Sequence, residues 1–339
     1  MRRQWGWIVL GVVLSLLFWI SPLNPFPNKL FWTSGSARTV TVKELFAETR
    51  PATLRIEQQS NPFHIGPDSI GTGFIISPNG YVLTAYHVIY QAERLTALLP
   101  NRHRYSLQVV GFDSAQDLAL LKIVSNETFS YLPLASRDPE IKTYVMAIGN
   151  SKGEFLQPRA GQLLRQGVRS DRADFPQGTL ELSAPIGPGD SGGPILNGNG
   201  EAVGVVSYIR VDDQGQWISG YAVPIREDSQ LLRDLKKGVQ RDVPVIGFQV
   251  VGAAEATDTQ PSGVLVGVVA KGGPADEAGI QPDDVITAVN GQATPTYNDL
   301  VRVVRMGRVG ESVSVAVQRG GQSMEVRVVL QAKAKVFSK

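Results

Sequence analysis

The sequence contains no cysteine, few histidines and no long run of charges of one sign. Without cysteine, the chain has no disulfide, no thiolate zinc site and no cysteine nucleophile. His64, His87 and His103 are scattered without the spacing of metal ligands, so we expect no metal site. The 33 basic and 31 acidic residues leave a net charge of +2, and this balance argues against nucleic acid as a partner.

Uncharged, apolar sequence is abundant near the N-terminus, where residues 5–20 read WGWIVLGVVLSLLFWI. This run is longer than the apolar region of a typical secretory signal, and no small-x-small cleavage site follows it. Tryptophans near both ends suit the two interfaces of a bilayer. We therefore expect residues 1–24 to form a transmembrane anchor, with a cleaved signal segment as the alternative, and residues 25–40 to form a tether. Arg2 and Arg3 then stay cytoplasmic, so the catalytic part is periplasmic or otherwise extracytoplasmic.

Short β-branched runs alternate with turn signals between about residue 40 and residue 225. Asn79-Gly80 and Asn199-Gly200 each separate two apolar runs, which is the strongest short-range sign of a β-hairpin. The runs SLQVVGF and LALLKI flank DSAQD in the same way. Because no long helical period interrupts these runs, the pattern disfavours a parallel βαβ sheet and predicts a barrel or sandwich.

The stretch GPGDSGGP, residues 187–194, places Ser191 among glycines. A serine hydroxyl is a weak nucleophile near pH 7 and needs a neighbouring base. His87 follows one inferred strand and Asp117 begins another. Taken singly, these two residues have simpler interpretations, an exposed strand-end histidine and a turn aspartate. Together with Ser191, each at a strand edge in one β-rich domain, they predict a Ser-His-Asp triad.

The segments around these residues resemble those of a known family. TAYHV, DLALLKI and GPGDSGGPI resemble the three catalytic segments of trypsin-fold serine proteases, and AIGN and GYAVPI narrow the resemblance to the HtrA (Deg) family. The resemblance covers nearly the whole chain. It implies a mostly β protein with a double six-stranded β-barrel, His87 and Asp117 on the first barrel, Ser191 on the second, and the active site in the cleft between them. It also implies a homotrimer and catalysis without a cofactor.

The glycines around Ser191 suit an oxyanion hole. Attack on a peptide carbonyl creates an oxyanion, which preorganised backbone N–H groups stabilise. The resemblance implies that Gly189 and Ser191 supply these donors. Glycine permits the backbone angles and the close substrate approach that a side chain would obstruct.

Two features depart from the family pattern. Asp190 stands where the family usually has asparagine, and in the digestive relatives an aspartate there pairs with an N-terminus freed by zymogen cleavage. No such terminus is evident, so Asp190 requires another cation or solvent, and we expect Asp190→Asn to be tolerated. The second departure is NSKGEFLQPRAGQLLRQG, residues 150–167, where relatives typically have a proline-phenylalanine-glycine turn.

The residue six positions before Ser191 gives an indication of which side chain is preferred before the cleaved bond. Trypsin-type enzymes that cut after basic residues carry an acidic group there, whereas this chain has Pro185 between Ala184 and Ile186. We expect small or medium aliphatic residues, and not Lys or Arg, before the cleaved bond. Specificity should be loose, because each methylene contributes only ~1 to 3 kcal/mol of discrimination.

A second domain begins near Val243, after an amphipathic linker at 229–242. GVLVGVVAKGGPADEAGIQPDDVITAVNGQ and TYNDLVRVVRMG resemble a small α+β PDZ domain, predicted over 243–332 with a tail at 333–339. In such domains a peptide adds as an extra strand, and backbone N–H groups of a short loop bind its carboxylate. The matching loop is VIGF, so the expected donors are Ile246, Gly247 and Phe248.

The sequence thus predicts a protease domain at 41–228 and a membrane-anchored, extracytoplasmic serine endopeptidase that cleaves misfolded or regulatory proteins. Unfolded or membrane-associated proteins are the expected substrates, with PDZ binding of peptide C-termini for tethering or activation. The alternative is a chaperone or scaffold on a protease fold that binds unfolded termini without cutting them. The intact triad and glycine pattern argue against this alternative.

Overall fold

The computed structural model describes residues 40–60, 66–169, 175–256 and 261–332. The predicted anchor at 1–24, the tail at 333–339 and all but the last residue of the tether lie outside these ranges. Within the described ranges, no helix is long and apolar enough to cross a membrane.

The first barrel is preceded by helix α1 (Val42–Thr49), which begins with a capping box between Thr41 and Glu44. A short 3-10 helix, Arg50–Ala52, leads from α1 into the barrel. The single-turn helix α2 (Tyr86–Ile89) follows the third strand. The six barrel strands are β1 (Thr53–Gln59), β2 (Ser69–Ile75), β3 (Tyr81–Thr84), β4 (Arg94–Leu98), β5 (Arg104–Asp113) and β6 (Leu118–Ile123).

Antiparallel pairing closes this barrel in the order β1, β2, β3, β6, β5, β4 and back to β1. The hairpin predicted around Asn79-Gly80 is confirmed as β2–β3, in which Phe74 lies opposite Leu83. The hairpin predicted around DSAQD is confirmed as β5–β6. Alternate side chains point inward and fill the interior, among them Leu54, Ile56, Val82 and Leu121.

The second barrel closes in the order β10, β11, β12, β9, β8, β7. Its strands are β7 (Tyr144–Gly149), β8 (Gln157–Val168), β9 (Thr179–Leu182), β10 (Pro194–Leu196), β11 (Ala202–Val211) and β12 (Trp217–Pro224). A 3-10 helix, Ser151–Gly153, connects β7 to β8, and the hairpin predicted around Asn199-Gly200 is confirmed as β10–β11. The predicted mostly β fold with two six-stranded barrels is therefore confirmed.

Hydrogen bonds join the two barrels along one seam. The backbone N–H of Thr72 donates to the carbonyl oxygen of Ser191 at 2.8 Å, and the Thr72 hydroxyl donates to that of Gly189 at 2.7 Å. From the other side, the Asn150 amide donates to the carbonyl oxygen of Gly71 at 3.2 Å. The loop that carries Ser191 is therefore fixed against strand β2 of the other barrel.

The segment predicted as a linker packs onto the first barrel. Helix α3 (Gln230–Lys236) is capped by the Ser229 hydroxyl and buries Leu232 and Leu235 in the core shared by the barrels. Strand β13 (Gln240–Arg241) then pairs in parallel with the end of β5. The linker is thus a folded part of the protease region.

The C-terminal domain is a small sheet with two helices. The sheet runs in the order β15, β16, β17, β19, β20, with β18 beside β17, and β14 pairs separately with β21. The elements are β14 (Pro244–Val245), β15 (Phe248–Ala254), β16 (Gly263–Val269), α4 (Pro274–Glu277), β17 (Val285–Val289), β18 (Gln292–Ala293), α5 (Tyr297–Met306), β19 (Ser312–Arg319), β20 (Gln322–Val329) and β21 (Gln331–Ala332). Its core includes Ile246, Val266, Ile286, Leu300 and Val315. The predicted small α+β domain is confirmed.

Candidate active site

His87 lies on the single turn of helix α2, directly after strand β3. Its neighbours Tyr86, Val88 and Ile89 are buried, whereas the His87 side chain is 47% exposed. Three buried side chains thus anchor this short turn, and the remaining one projects the imidazole towards solvent. The sequence placed His87 at a strand end, and the structure places it one helical turn further on.

Asp117 lies in the tight turn between β5 and β6 with a left-handed backbone φ of 51°. The carboxylate of Asp113 stabilises this turn by accepting the N–H groups of Ala115 and Gln116 at 3.1 and 3.0 Å. The His87 Nδ1 atom lies 3.0 and 2.9 Å from the two carboxylate oxygens of Asp117, and the His87 backbone N–H donates to the same carboxylate at 2.9 Å. This contact places the imidazole proton on Nδ1 and leaves Nε2 as the basic nitrogen.

Ser207 is a third partner of Asp117, and sequence reasoning missed it. Its hydroxyl donates to the Asp117 carboxylate from strand β11 of the second barrel. Ser207 is buried within the otherwise apolar run AVGVVSYI, and a buried serine in an apolar strand is the signal that could have identified it. This hydrogen bond connects the carboxylate of one barrel to the other barrel.

The loop bearing Ser191 approaches the β3 strand end that leads to His87. At Gly192, whose φ is +82°, a Cβ atom would lie 2.1 Å from the Thr84 hydroxyl and 2.2 Å from the Thr72 carbonyl oxygen. No other residue type fits so close an approach. Gly192 N–H also donates to the carbonyl oxygen of Val206 at 2.8 Å, next to Ser207. The structure therefore brings the sequence positions of the predicted triad to one place at the barrel seam.

Gly189 and Ser191 are the predicted donors of the oxyanion hole. Gly189 has a φ of +100°, and a Cβ atom there would lie 2.9 Å from the carbonyl oxygen of Asn150, so this position requires glycine. Neither the N–H of Gly189 nor that of Ser191 donates to an acceptor within the described part of the chain. Two backbone donors in one loop are thus available to a ligand, as the prediction requires.

Asp190 is completely buried beneath this loop. One carboxylate oxygen accepts the N–H of Ser151 at 2.8 Å and the other accepts the N–H of Gly187 at 2.9 Å. The Arg159 guanidinium lies 4.0 Å from the second oxygen. Asp190 therefore has an internal cation in Arg159 and two backbone donors.

Arg159 comes from strand β8, within the segment that departs from the family pattern. Its side chain is only 13% exposed, and it also contacts the Glu154 carboxylate and the Ser151 hydroxyl. The unusual segment 150–167 thus supplies both the Ser151 N–H and the Arg159 charge. From the sequence, Asp190 and the segment 150–167 were interpreted as separate departures from the family pattern. Their occurrence in the same chain was the signal that could have suggested a contact between them.

The residues before Gly187 separate into surface and interior positions. Pro185 is exposed, whereas Ala184 and Ile186 are buried. Ile186 packs against Gly220 of strand β12 so closely that a Cβ at Gly220 would lie 2.5 Å from it. The apolar character predicted here is therefore carried by Ala184 and Ile186, and not by Pro185.

The predicted carboxylate loop lies at one end of a groove between β15 and α5. Gly247 has a φ of +96°, which favours glycine, and Ile246 is buried in the domain core. The groove has a volume of about 730 Å³ and is lined mainly by apolar residues, including Phe248, Val250, Leu300, Val301 and Val304. It can accommodate an extended peptide beside the free edge of β15.

Comparisons with known proteins agree with both parts of this architecture. Residues 71–205 match the family described as a trypsin-like peptidase domain, and residues 265–319 match the PDZ domain family. The crystal structure of the serine endoprotease from Yersinia pestis is 26% identical, with a TM-score of 0.51, and the match covers 86% of this chain and 98% of that one.

Curated relatives point to the same kind of protein. A probable periplasmic serine endoprotease of Hahella chejuensis, described as DegP-like, is 33% identical over 269 residues, which are 77% of this chain and 56% of the relative. The putative serine protease HhoB of Synechocystis sp. is 32% identical over 276 residues, which are 76% of this chain and 65% of the relative. The chain therefore spans between half and two-thirds of the length of these relatives.

Proposed function

The chain belongs to the trypsin-like serine endoproteases of the DegP/HtrA type with a PDZ domain, and on this premise we propose that it hydrolyses peptide bonds with Ser191 as the nucleophile. One observation carries the proposal. The Asp117 carboxylate holds His87 Nδ1 at the seam where the Ser191 loop of the second barrel meets the first.

The proposed reaction proceeds through an acyl-enzyme. His87 Nε2 takes the proton of the Ser191 hydroxyl as the oxygen attacks the peptide carbonyl, and it then gives this proton to the leaving amine. A water molecule, activated by the same nitrogen, releases the acyl group. Asp117 stabilises the imidazolium that forms in each step, and the N–H groups of Gly189 and Ser191 stabilise the oxyanion.

We extend the proposal to the PDZ groove, which binds peptide C-termini. The support is the left-handed Gly247, the backbone donors predicted at 246–248 and the adjoining apolar groove. Bound termini tether protein substrates to the protease or shift its active site between less and more active arrangements. Misfolded, regulatory or membrane-associated proteins are the proposed substrates.

The proposed location is the extracytoplasmic face of a membrane. The support is the apolar run at residues 5–20 and the similarity to the probable periplasmic endoprotease of Hahella chejuensis. Extraction of cell membranes with carbonate, followed by N-terminal sequencing, distinguishes an intact anchor from a cleaved signal. The family resemblance extends the proposal to a homotrimer, which sedimentation equilibrium measures.

Casein cleavage by the purified full chain in detergent tests the central proposal. Ser191→Ala and His87→Ala should each abolish proteolysis without changing the melting temperature, and the double variant should be no less active than either, because both residues act in one chemical step. Retention of more than about a hundredth of the wild-type kcat by Ser191→Ala would show that Ser191 is not the nucleophile.

A further inference from the structure

The segment Val239–Val243, which precedes the PDZ domain, is bonded to the end of strand β5. Its strand β13 pairs in parallel with Phe112 and Asp113. The Phe112 N–H donates to the carbonyl oxygen of Val239 at 3.1 Å, and the Ser114 N–H donates to that of Arg241 at 2.9 Å. The pairing therefore ends at the turn that presents Asp117.

Side chains add further bonds to this turn. The Ser114 hydroxyl donates to the Asp242 carboxylate at 2.8 Å and accepts the N–H of Val243, also at 2.8 Å. Arg241 forms ion pairs with Asp234 of α3 at 2.6 Å and with Asp113 at 3.6 Å, and the Asp113 carboxylate also holds the turn's own N–H groups. Three consecutive residues, 241–243, thus bind two consecutive residues of the turn.

The same segment also reaches the helix that carries His87. The Tyr86 hydroxyl lies 3.5 Å from the Asp242 carboxylate, and the Tyr86 ring lies 4.9 Å from that of Phe112. Burial, together with the nearby Asp242 carboxylate, raises the pKa of Tyr86, so the phenol stays protonated and can donate. Asp242 thus contacts Tyr86, which precedes His87, and Ser114, which lies in the turn that presents Asp117.

A simpler explanation is that β13 merely covers the edge of β5. Edge protection requires only backbone pairing, and it gives no reason for the Asp242 carboxylate to accept the Ser114 hydroxyl and lie beside Tyr86. The left-handed φ of Asp117 costs free energy in any residue except glycine, although aspartate tolerates it better than most, and the surrounding structure helps to hold it. The bonds from 241–243 are the part of that surrounding structure that lies outside the barrel.

We propose that Val239–Val243 is a positioning clamp, which holds the 113–117 turn so that Asp117 stays aligned with His87. The residues of this clamp touch neither substrate nor reacting atoms, and they act through Asp117. The inference rests on the proposed function, because it assumes that the His87–Asp117 pair is catalytic. It makes the junction between the two domains a part of the catalytic apparatus.

Two variants of the full chain test the clamp. Ser114→Ala removes the hydroxyl that joins the turn to Asp242 and Val243. Arg241→Gln removes the ion pairs to Asp113 and Asp234, and Asp234→Asn, which removes only the second pair, shows how much of the effect belongs to it. The matched control is Arg233→Gln, the same chemical change on α3, where the guanidinium contacts only Gln230 and the carbonyl oxygen of Asp228 among the described residues. Ser114→Thr keeps a hydroxyl and serves as the rescue.

The measurements are kcat and KM on a small chromogenic peptide and the low-field proton NMR signal of His87 Nδ1–H. In both variants we expect kcat to fall about fivefold with KM changed less than about twofold, because alignment of the base affects the chemical step and not substrate binding. The low-field signal should shift or broaden, whereas a merely structural role would leave it unchanged. Ser114→Thr and the control should resemble the wild type.

Two results would separate the possible failures. An unchanged kcat and an unchanged proton signal in both variants, with Ser191→Ala inactive, would overturn the clamp while leaving the proposed function intact. Activity retained by Ser191→Ala would overturn the proposed function itself. If Ser114→Ala fails to fold, Arg241→Gln compared with Asp234→Asn decides the outcome, because the Arg241 side chain is half exposed and its removal leaves the backbone pairing in place.

Discussion

At the scale of single residues, Asp190 shows how this chain holds its oxyanion loop. Both of its oxygens accept backbone N–H groups, one from Ser151 and one from Gly187, and Arg159 lies beside them. An asparagine offers one acceptor oxygen and one NH₂ donor. In this setting one of the two N–H groups would therefore face another donor, and Arg159 would keep only one of its two carboxylate partners, Glu154.

Asp190→Asn is accordingly expected to lower kcat by about tenfold or more, equivalent to ~1.4 kcal/mol in the barrier. This reverses the expectation from sequence, which relied on the amide that relatives carry. The measurement is turnover of a small chromogenic peptide, with Arg159→Lys as a charge-preserving control that retains most activity. An Asp190→Asn enzyme with more than about half the wild-type kcat would refute this account.

Local sequence revealed some of the site's residues and concealed others. His87, Asp117 and Ser191 could be predicted because each lies in a short stretch of distinctive composition. Ser207 and Arg159 were missed, since their roles depend on contacts with Asp117 and Asp190, which are far away in the chain. Ser207 is 90 residues from Asp117, and no spacing rule connects the two. Only the closed barrels bring such residues together.

At the scale of strands, a polar network connects β8, β9 and β12 of the second barrel. The buried Glu181 carboxylate accepts from Tyr221 at 2.8 Å and pairs with Arg165, and the Ser219 hydroxyl donates to that of Tyr221 at 3.2 Å. Burial alone would raise the pKa of Glu181, but hydrogen bonds from Arg165, Tyr221 and Ser219 together hold it below the usual value.

This lowered pKa predicts a pH dependence of stability. A carboxyl whose pKa is lower in the folded state stabilises the protein above its unfolded pKa, which is about 4.3 for glutamate. That contribution disappears as the pH falls through the folded-state pKa. Denaturant unfolding from pH 7 down to acid should therefore show a steeper loss of stability in the wild type than in Glu181→Gln. Parallel curves for the two proteins would contradict the prediction.

The elements themselves were predictable to different degrees. The three hairpins follow from turn residues and apolar alternation, which are local signals. Helix α2 has four residues, too few to show a helical period, and it appeared only as the end of a strand. Strand β13 has two residues and pairs in parallel with a strand far back in the chain, so the sequence around it reads as a linker.

At the scale of the whole molecule, the groove and the clamp at 239–243 are close in sequence. The clamp ends at Val243, and the carboxylate loop begins at Ile246. A peptide that orders this loop thus acts on chain that is directly continuous with the residues holding the 113–117 turn. This continuity is the reason to test regulation through the linker alongside simple tethering of substrates.

Peptides with an apolar last residue and a free carboxylate should therefore raise kcat on a small chromogenic substrate that never contacts the groove. Amidated versions should bind more weakly, because they lack the charge that strengthens bonds from the loop's N–H groups. Arg241→Gln should keep peptide affinity, measured by calorimetry, and lose the stimulation.

The opposite pattern would be equally informative. Binding without any change in small-substrate turnover would leave tethering as the groove's role. Stimulation that survives in Arg241→Gln would place the route between the domains elsewhere. Gly247→Trp should abolish binding and stimulation together, since a large side chain would occupy the position of the carboxylate.

Arg159 and Asp190 come from the same barrel, and this bears on whether the support of the Ser191 loop is reversible. The Arg159–Asp190 pair beneath the Ser191 loop is made by residues of that barrel, and not by an N-terminus freed by cleavage. Activation by proteolytic cleavage is irreversible for each molecule. A pair formed within one fold can separate and form again many times. A change that only separates the Arg159–Asp190 pair breaks no covalent bond, so the same molecule can form the pair again.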